Sequence, residues 1–479
     1  MHTHLVVSLI INWQNTYKMV HSQVKSDSPK ASVSKKAVWS WIFYDWAAQP
    51  FFTLILTFIF GPYFVAKLAS SPEIGQSYWT AATAVAGVII AICSPFLGAI
   101  SDAGGPRKPW IAVFSVFFVI GCGALWWSAP GVENAIFIAL VGFVMATVGA
   151  EFGVVFTNGM MPDLVPRHKL GWLSGTGWAM GYVGGLLTLI VMILLIIPAG
   201  DKNLTMLGLP SLLGFDAAAF EGERFSGPFT ALWYLVFVMP LFLFTPDAPS
   251  KLKLKQATIA GIAQLKQTFS MWREHANAFT FLGASMIYRD ALVGVFALGG
   301  IVGAAVFDWP ITTVGIYGIL LSITGAIGAY VGGRLDDIFG PKAVIIGGII
   351  ILFVGTIATL SIGKGYIFFY FPVEPPQVDG GLFAAVSEQV FVLVGSIVGL
   401  AVGPVQAASR SMLVHIAPHD KITEFFGLYA LSGKATSFIV PMSIAVTTYL
   451  SQNFRIGLTP ILAAFAIGLV ALLLVKDER

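Results

Sequence analysis

Two stretches of the sequence decide the fold, "LGAISDAGGPRKPW" (Leu97 to Trp110) and "VGGRLDDIFGPKAV" (Val331 to Val344). They share a motif of the form G-x-x-x-D-x-x-G-x-[RK], and the shift between the copies is 235 residues, about half of the 479-residue chain. This shift matches Gly98 with Gly333, Asp102 with Asp337, Gly105 with Gly340, Pro106 with Pro341 and Arg107 with Lys342. A motif repeated at half the chain length indicates two copies of one architecture.

A second repeat supports the duplication. "MPDLVPRHKLGWLSG" (Met161 to Gly175) resembles "LVHIAPHDKITEFFG" (Leu413 to Gly427). At a shift of 252 residues the matched pairs are Pro166 and Pro418, Lys169 and Lys421, and Gly175 and Gly427. Both stretches precede a long apolar segment, the fifth and the eleventh, so the two repeats fall at corresponding places in the halves.

The composition requires lipid as the solvent for most of the chain. Hydrophobic residues make up 57% of the sequence and charged residues 11%, with a mean hydropathy of +0.83, whereas soluble domains carry about 25% charged residues. Twelve apolar segments of roughly 20 residues are each long enough to cross a bilayer. They are predicted at 38–64, 77–100, 109–128, 134–157, 173–198, 228–245, 278–304, 310–333, 343–362, 384–405, 424–449 and 457–475.

We therefore predict an all-α membrane protein with twelve transmembrane helices in two pseudo-symmetric six-helix bundles. The bundles are expected at 38–245 and 278–479, joined by a cytoplasmic linker at 246–277. Residues 1–37 are predicted to be a disordered cytoplasmic tail, in which Met19 is an alternative start. Two duplicated bundles are the architecture of transporters that expose a central site to each side of the membrane in turn.

The basic residues predict the orientation. If the N-terminus is cytoplasmic and the segments alternate, 20 Lys and Arg residues fall on the inner side and 5 on the outer side, with Arg289 and Lys434 inside the segments. An excess of basic residues marks the cytoplasmic side. Both termini are thus expected in the cytoplasm, in what we expect to be a bacterial plasma (inner) membrane.

The linker contains a pattern typical of an amphipathic helix. Ile259, Ile262, Leu265 and Phe269 recur at helical spacing, beside basic residues such as Lys266. Such a helix is expected to lie on the inner membrane surface. It could simply tether the two bundles, or it could respond to lipid or to a partner.

The repeated loop is predicted to act as an inner gate. Its glycines let helix backbones approach closely, and Asp102 can pair with Arg107 or cap the N-terminus of a nearby helix. Such a latch would hold the inner face shut in the outward-open state; the alternative is a basic loop that only fixes topology. The predicted gate residues are Gly98, Asp102, Gly105, Arg107, Lys108, Gly333, Asp337, Gly340 and Lys342.

Several function classes are not indicated by the sequence. The two cysteines lie inside apolar segments and the seven histidines show no ligand spacing, so we expect no metal, no cofactor and no redox role. "GLYALSGKAT" (Gly427 to Thr436) departs from the phosphate-binding pattern, so the sequence predicts no site for ATP hydrolysis. Transport is therefore expected to be facilitated or driven by an ion gradient. We expect no enzyme activity, no large sensor domain and no nucleic-acid partner.

Longer stretches resemble a known family. The repeated loop resembles the signature loop of the major facilitator superfamily. "WIFYDWAAQPFFTLILTFIFGPYF" (Trp41 to Phe64), "GTGWAMGYVGGLL" (Gly175 to Leu187), "IYRDALVGVF" (Ile287 to Phe296) and "EFFGLYALSGKATSFIVP" (Glu424 to Pro441) resemble the autophagy-related vacuolar amino-acid effluxer family and its bacterial relatives. The resemblance runs from residue 38 to about 475. It implies a twelve-helix facilitator that moves amino acids or similar small solutes; drugs, sugars or lipids are the alternative cargo.

Charged residues inside lipid are costly and mark functional sites. The candidates for a substrate or proton site are Asp45, Glu151, Tyr288, Arg289, Asp290 and Lys434. In the facilitator fold the first, fourth, seventh and tenth helices line the central cavity, and we expect Asp290 to pair with Lys434 of the eleventh, either as a structural pair or as part of the substrate site. For an amino acid, Arg289 or Lys434 would meet the carboxylate and Asp45 or Asp290 the ammonium. The three acids and two bases leave one carboxylate free to bind a proton.

Further candidates lie around these charges. Six aromatic residues could line a pocket for apolar side chains, although helix packing is the alternative role for most of them; they are Tyr44, Trp46, Trp178, Tyr182, Tyr288 and Tyr429. Asn158, Gln406 and Arg410 lie near inner helix ends and are weaker candidates for a gate. The expected partners are a small-molecule solute, protons and the lipid bilayer, and we expect a monomer.

Overall fold

The structure is a computed structural model that describes residues 33–198, 203–377 and 381–477. Within these residues twelve helices are long and apolar enough to cross a membrane, which confirms the predicted number. Numbered in chain order, these spans are Lys35–Leu68, Pro72–Gly104, Lys108–Trp127, Ala135–Gly159, Arg167–Ile196, Glu221–Phe244, Ala276–Phe307, Thr312–Phe339, Pro341–Leu360, Val386–Ile416, His419–Ser451 and Phe454–Leu473. Spans 1–6 are called the N-terminal half and spans 7–12 the C-terminal half. The predicted tail lies mostly outside the described residues, but Lys35 already begins span 1.

Several helices run further than the apolar pattern predicts. Span 2 ends at Gly104, span 8 at Phe339 and span 10 at Ile416, whereas the predicted ends were 100, 333 and 405. The additional turns carry polar residues that bond to neighbouring helices, so the helical backbone continues beyond the last apolar residue. Spans 2 and 8 stop where Gly105 and Gly340 adopt φ angles of 101° and 89°, a conformation that glycine adopts without steric cost.

Two spans are irregular. Span 1 is an α-helix over Lys35–Pro50, then widens into π-helical turns at Phe51–Phe58 and Phe64–Leu68, which flank a short α-helix, Phe60–Tyr63. Span 11 is split into helices Ile422–Ala435 and Ile439–Ser451. Non-helical backbone at membrane depth is tolerated only where protein or a water-filled cavity satisfies it. The backbone groups at the break in span 11 therefore need partners from the surrounding protein or from a water-filled cavity.

The two halves meet through two matched helix pairs. Span 2 packs against span 11, and span 5 packs against span 8. Span 2 corresponds to span 8, and span 5 corresponds to span 11, so the two pairs are equivalent under the internal duplication. This is the arrangement expected of two duplicated bundles.

The connections alternate between two sides of the bundle. One side, called the loop side, holds both repeated loops and the linker: the Lys251 amide donates to the carbonyl oxygen of Gly104 at 2.8 Å. Both ends of the bundle also lie there, since Lys342 donates to the carbonyl oxygen of Val475 at 2.6 Å and Thr245 donates to that of Ala37 at 3.2 Å. The opposite, far side carries an antiparallel hairpin of β1 (Tyr366–Ile367) and β2 (Phe371–Pro372).

The linker helix, Leu254–Ser270, lies on the loop side and differs from its prediction in one respect. Leu265 packs into the protein, together with Ala257, Gly261 and Thr268, whereas Ile259, Ile262 and Phe269 are exposed. The predicted apolar stripe is thus divided between two faces. The reason is that small residues let the helix sit close to span 2, and a Cβ on Gly261 would lie 2.6 Å from the amide nitrogen of Ile100.

Candidate functional site

Asp102 joins the two halves on the loop side. It lies on the last turn of span 2, and its carboxylate is 3.3 Å from the guanidinium of Arg107. Its other oxygen accepts a hydrogen bond of 2.8 Å from the backbone N–H of Glu424, in the first turn of span 11. A carboxylate at a helix N-terminus satisfies a free N–H group and favours the helix dipole. The two roles predicted for Asp102, pairing and capping, therefore occur together.

Asp337 makes the equivalent contact in the other half. Both of its carboxylate oxygens accept from the backbone N–H of Trp172 at 3.1 Å, in the first turns of span 5. Each repeated loop therefore caps a helix that belongs to the opposite half. The neighbouring Asp336 accepts a hydrogen bond from the hydroxyl of Ser411, which adds a contact within the C-terminal half.

The basic residues of the two loops are not equivalent. Arg107 donates to the hydroxyl of Thr423 in the C-terminal half at 3.0 Å and lies 3.5 Å from Asp163. Lys342 instead donates to the carbonyl oxygens of Leu473 and Val475, at 3.1 and 2.6 Å, within its own half. The cross-half contact made by the basic side chain is thus confined to the first loop.

Glycines allow these helices to touch. A Cβ on Gly98 would collide with the backbone of Thr423 and Glu424, and one on Gly333 would lie 2.5 Å from the carbonyl oxygen of Gly171. The glycines of the second repeat complete the pattern, because Gly175 faces span 8 and Gly427 faces span 2. The two halves are therefore in close backbone contact at matched positions on the loop side.

Lys108 and Asp247 brace the start of span 3. The carboxylate of Asp247 accepts from the backbone N–H groups of Arg107 and Lys108 at 2.8 and 2.9 Å, and the Lys108 side chain donates to the carbonyl oxygen of Phe242 at 2.9 Å. Lys108 therefore supports the first repeated loop from within the N-terminal half. Asp247 was not predicted; its position just after the end of span 6 is the only signal that the sequence offers.

The expected pairing of Asp290 with Lys434 is wrong. Lys434, in span 11, forms an ion pair of 2.6 Å with Glu151 of span 4. The side chains are 30% and 22% exposed, so the pair borders open space rather than the packed core. The prediction paired two residues of one half, whereas the contact between spans 4 and 11 brings charges from opposite halves together.

Asp45 forms a second ion pair between the halves. Its carboxylate lies 3.0 Å from the guanidinium of Arg410 in span 10. Arg410 also donates to the hydroxyl and carbonyl oxygens of Ser174, at 3.0 and 2.8 Å, and to Asn158 at 3.3 Å. Only 5% of its side chain is exposed. Arg410 thus contacts spans 1, 4 and 5 at once, a larger role than that of a weak gate candidate.

Arg289, in span 7, packs against the part of span 11 that precedes Lys434. Its guanidinium stands 4.0 Å from the ring centre of Tyr429 and donates to the carbonyl oxygen of the same residue at 2.9 Å. A Cβ on Gly433 would lie 2.7 Å from the guanidinium, and Gly433 precedes Lys434 in the sequence. Arg289 and Glu151 thus both contact the part of span 11 between Tyr429 and Lys434, and Glu151, Arg289 and Lys434 together carry a formal charge of +1.

Asp290, in span 7, contacts the break in span 11. Its carboxylate accepts a hydrogen bond of 3.2 Å from the backbone N–H of Val440, in the first turn of the second half-helix. The side chain is buried, and within the described residues it forms no ion pair. Asp290 thus caps the half-helix, and the lysine predicted to pair with Asp290 pairs with Glu151 instead.

The predicted aromatic residues are mostly used for packing. Tyr288 is buried and shares a hydrogen bond of 2.7 Å with Ser409, and Trp46 stacks on Trp233 with ring centres 5.5 Å apart. Trp178 lies 5.4 Å from the guanidinium of Arg410, and its ring is 6.1 Å from that of Tyr182. Trp178 and Tyr429 are therefore the predicted aromatic residues that contact the guanidinium groups of the site.

Known proteins resemble the chain over most of its length. The MFS-type transporter YxiO of Bacillus subtilis is 24% identical over 446 residues, covering 92% of this chain and 94% of the relative. Autophagy-related protein 22-1 of Neosartorya fischeri is 21% identical over 322 residues, covering 64% of this chain and 48% of the relative. This chain thus aligns with about half of the fungal protein.

Solved structures share the fold. The transporter FucP in its outward conformation superimposes with a TM-score of 0.66 and 13% identity, covering 92% of this chain and 98% of FucP. The proton:xylose symporter XylE gives a TM-score of 0.66 and 15% identity, covering 91% and 94%. Both belong to the major facilitator superfamily by their descriptions.

The family model described as "Vacuole effluxer Atg22 like" matches residues 72–479. This match includes both repeated loops and eleven of the twelve spans. It agrees with the resemblance that the sequence stretches suggested, and it makes the chain a transporter rather than an enzyme. The chain belongs to the vacuole effluxer Atg22 like family, within the major facilitator superfamily.

Proposed function

We propose that this transporter carries amino acids, or solutes with the same pairing of a carboxylate and an ammonium group, by alternating access. The observation that carries the proposal is the group formed by Glu151, Lys434 and Arg289. Two cations and one anion give these residues a formal charge of +1, and the Glu151–Lys434 pair is partly exposed. The carboxylate of a bound solute would pair with one of the cations, and its ammonium group would pair with Glu151.

The chemistry of each residue suggests its role. The guanidinium of Arg289 is planar and suits a carboxylate, and Lys434 supplies a second positive charge. Glu151, which holds Lys434 at 2.6 Å, would accept the substrate ammonium. Asp45 is less suited to that role, because its partner Arg410 is only 5% exposed whereas Lys434 is 30% exposed, and Asp290 caps Val440.

Binding at this group would act on the equilibrium between conformations. The Glu151–Lys434 pair joins the two halves, so a solute that separates the two charges changes the cross-half contact directly. A ligand shifts a conformational equilibrium only through a difference in its affinity for the two states. The paired charges supply such a difference, since their separation changes with rocking of the halves.

The contacts on the loop side support a closed gate there. Asp102 and Asp337 each cap a helix of the opposite half, and Gly98 and Gly333 permit backbone contact. If the loop side is cytoplasmic, as the basic residues predict, this is an outward-facing state. We further propose a monomer in a bacterial plasma membrane, with both termini in the cytoplasm.

A proton is the proposed coupling ion, bound on Asp45, Glu151 or Asp290. Asp290 is the favoured carrier, because Asp45 and Glu151 are each held by a cation. A carboxylate that alternates between hydration and burial can gain and lose a proton during a transport cycle.

The charged group also favours a zwitterion over a sugar. A zwitterion can place its carboxylate against Arg289 or Lys434 and its ammonium against Glu151, so that each partly buried charge gains a partner of opposite sign, whereas the hydroxyl groups of a sugar supply no such partner. The sugar symporters among the structural neighbours are too distant in sequence to transfer their substrates to this chain.

A thermal-shift screen of the purified protein tests the proposal. An amino acid should raise the unfolding temperature, because a ligand that binds the folded state stabilises it. The matching amine and the matching carboxylic acid, each lacking one charged group, should give little or no shift. Stabilisation by a neutral sugar, with none by any amino acid, would reject the proposed cargo. Flux into proteoliposomes with and without a pH gradient then tests proton coupling.

A further inference from the structure

The linker helix exposes a mixed apolar and basic stripe. At about 3.6 residues per turn, Lys255, Ile259, Ile262, Lys266 and Phe269 fall on one side of the helix. The three apolar side chains are 66%, 48% and 50% exposed, respectively, and both lysines are exposed. This set is called the linker stripe. Helices that lie at a bilayer surface combine apolar side chains with Lys or Arg in this way.

The other two sides of the helix have different characters. One side packs on the protein through Ala257, Gly261, Leu265 and Thr268. The third side carries Gln256, Ala260, Ala263 and Gln267, which suit contact with water. A helix that only tethered two bundles would need one buried and one polar side, and so the linker stripe calls for a further partner.

Lysines beside exposed apolar side chains favour a membrane surface that carries negative charge. Apolar groups can enter the boundary between headgroups and acyl chains, while lysine side chains extend to the headgroups. Lys251, Lys253 and Arg273 flank the helix and add positive charge. Each basic residue near an anionic surface strengthens binding, by about fivefold.

We propose that the linker stripe binds the anionic lipid headgroups of the bilayer that surrounds the loop side. The helix is well placed to pass this binding on to both halves. Gly261 lies against Ile100 of span 2, and the amide of Gln264 donates to the carboxylate of Glu424 in span 11 at 2.7 Å. Lipid that holds the helix in place therefore supports the closed loop side.

Hydrogen–deuterium exchange of the full chain in lipid nanodiscs tests the proposal without measuring transport. Nanodiscs of phosphatidylcholine are compared with nanodiscs that contain about one third phosphatidylglycerol. The amides of residues 254–270 should exchange at least about threefold more slowly in the anionic lipid, because binding raises the free energy of local opening. Equal exchange in the two lipids would overturn the proposal and leave the stripe to a polypeptide partner.

Variants distinguish an effect of the linker stripe from an effect of the net charge of the protein. Lys255→Gln with Lys266→Gln should abolish the difference between the two lipids. Lys67→Gln with Lys364→Gln removes the same number of charges from the far side and should preserve it. The proposal also fails if this control loses the lipid effect. Ile259→Ser with Ile262→Ser, two exposed positions, should increase exchange in both lipids, and unchanged exchange would contradict insertion of the apolar side chains.

Discussion

Glu151 Oε1 lies 2.6 Å from Lys434 Nζ, across 283 residues of sequence and between the two halves of the molecule. An ion pair in this position can serve two purposes. It can hold the halves together as a structural contact, or it can give way to the charged groups of a solute. The two purposes make different predictions when the charges are exchanged.

Exchanging the two charges should separate structure from transport. Glu151→Lys with Lys434→Glu retains an ion pair between spans 4 and 11, so the folded protein should insert and unfold at a temperature close to that of the original. It places the charges in the reverse order relative to Arg289, and uptake of an amino acid should fall at least about tenfold, the effect of losing about 1.4 kcal/mol. The measurements are thermal unfolding and flux into proteoliposomes.

The single changes complete this test. Glu151→Gln and Lys434→Gln should each reduce flux by a similar factor, because each removes one of the two solute contacts. If the exchanged pair restored full flux from inactive single variants, the ion pair would be structural and the proposed solute site would be wrong.

Gly98 should tolerate no side chain if the loop side closes as described. In Gly98→Ala the new methyl group meets the backbone of Thr423 and Glu424, and overpacking of this kind costs about 1–3 kcal/mol. Spans 2 and 11 should separate, and the amide of Glu424 should exchange with deuterium at least about fivefold faster. Gly87→Ala is the matched control on the same helix, because a Cβ at Gly87 would meet no atom of the described residues within 4 Å.

The two repeated loops on the loop side could be predicted because each motif lies within a short stretch of sequence. The spacing of Gly98, Asp102 and Arg107 indicates a loop with a carboxylate, and its duplication indicates that both halves use it. The partners could not be predicted to the residue. The backbone N–H groups of Glu424 and Trp172 carry no side-chain signal, and only the packing of span 2 on span 11 and of span 5 on span 8 reveals them.

Asp102→Asn should weaken the closed side more than Asp337→Asn. Both variants keep an oxygen that can accept from a helix N-terminus, but Asp102→Asn also leaves the buried guanidinium of Arg107 with a weaker partner. Loss of one partner of a buried ion pair is strongly destabilising. We expect the exchange rate of the span 11 N-terminal amides to rise at least about tenfold in Asp102→Asn, and that of the span 5 amides to rise less in Asp337→Asn. Equal effects would mean that the helix caps, and not Arg107, dominate.

Asp45 and Arg410 should show strong coupling in a double-mutant cycle. Asp45→Asn and Arg410→Gln each remove one charge from a largely buried pair, so each should destabilise the protein, and the double variant should lose less than the sum. A coupling energy of about 1–3 kcal/mol is expected from unfolding measurements. The exposed pair of Lys364 and Asp308 on the far side is the control, with 47% and 74% exposure, and its coupling should stay below about 1 kcal/mol. Additive effects at Asp45 and Arg410 would contradict a stabilising ion pair between the two halves.

The charges at membrane depth were easier to find than to pair. A charged residue in an apolar segment stands out, and for that reason Asp45, Glu151 and Lys434 were predicted as site residues. Arg410 was undervalued because the apolar stretch of span 10 ends at residue 405, which suggested that Arg410 lies near the helix end. The helix in fact continues to Ile416. The pairing of Lys434 with Glu151 instead of Asp290 depends on how the halves meet, and no spacing within one half encodes that contact.

Asp290 provides the test of proton coupling. Asp290→Asn retains an oxygen to accept from the N–H of Val440, so the break in span 11 should persist and thermal stability should change little. The asparagine side chain cannot bind and release a proton as a carboxylate does, and so concentrative uptake driven by a pH gradient should be abolished. Asp290→Ala should in addition lower stability by about 1 kcal/mol, the usual cost of losing a helix cap. Full uptake by Asp290→Asn in proteoliposomes with an imposed pH gradient would remove Asp290 from the mechanism and leave it as a structural cap.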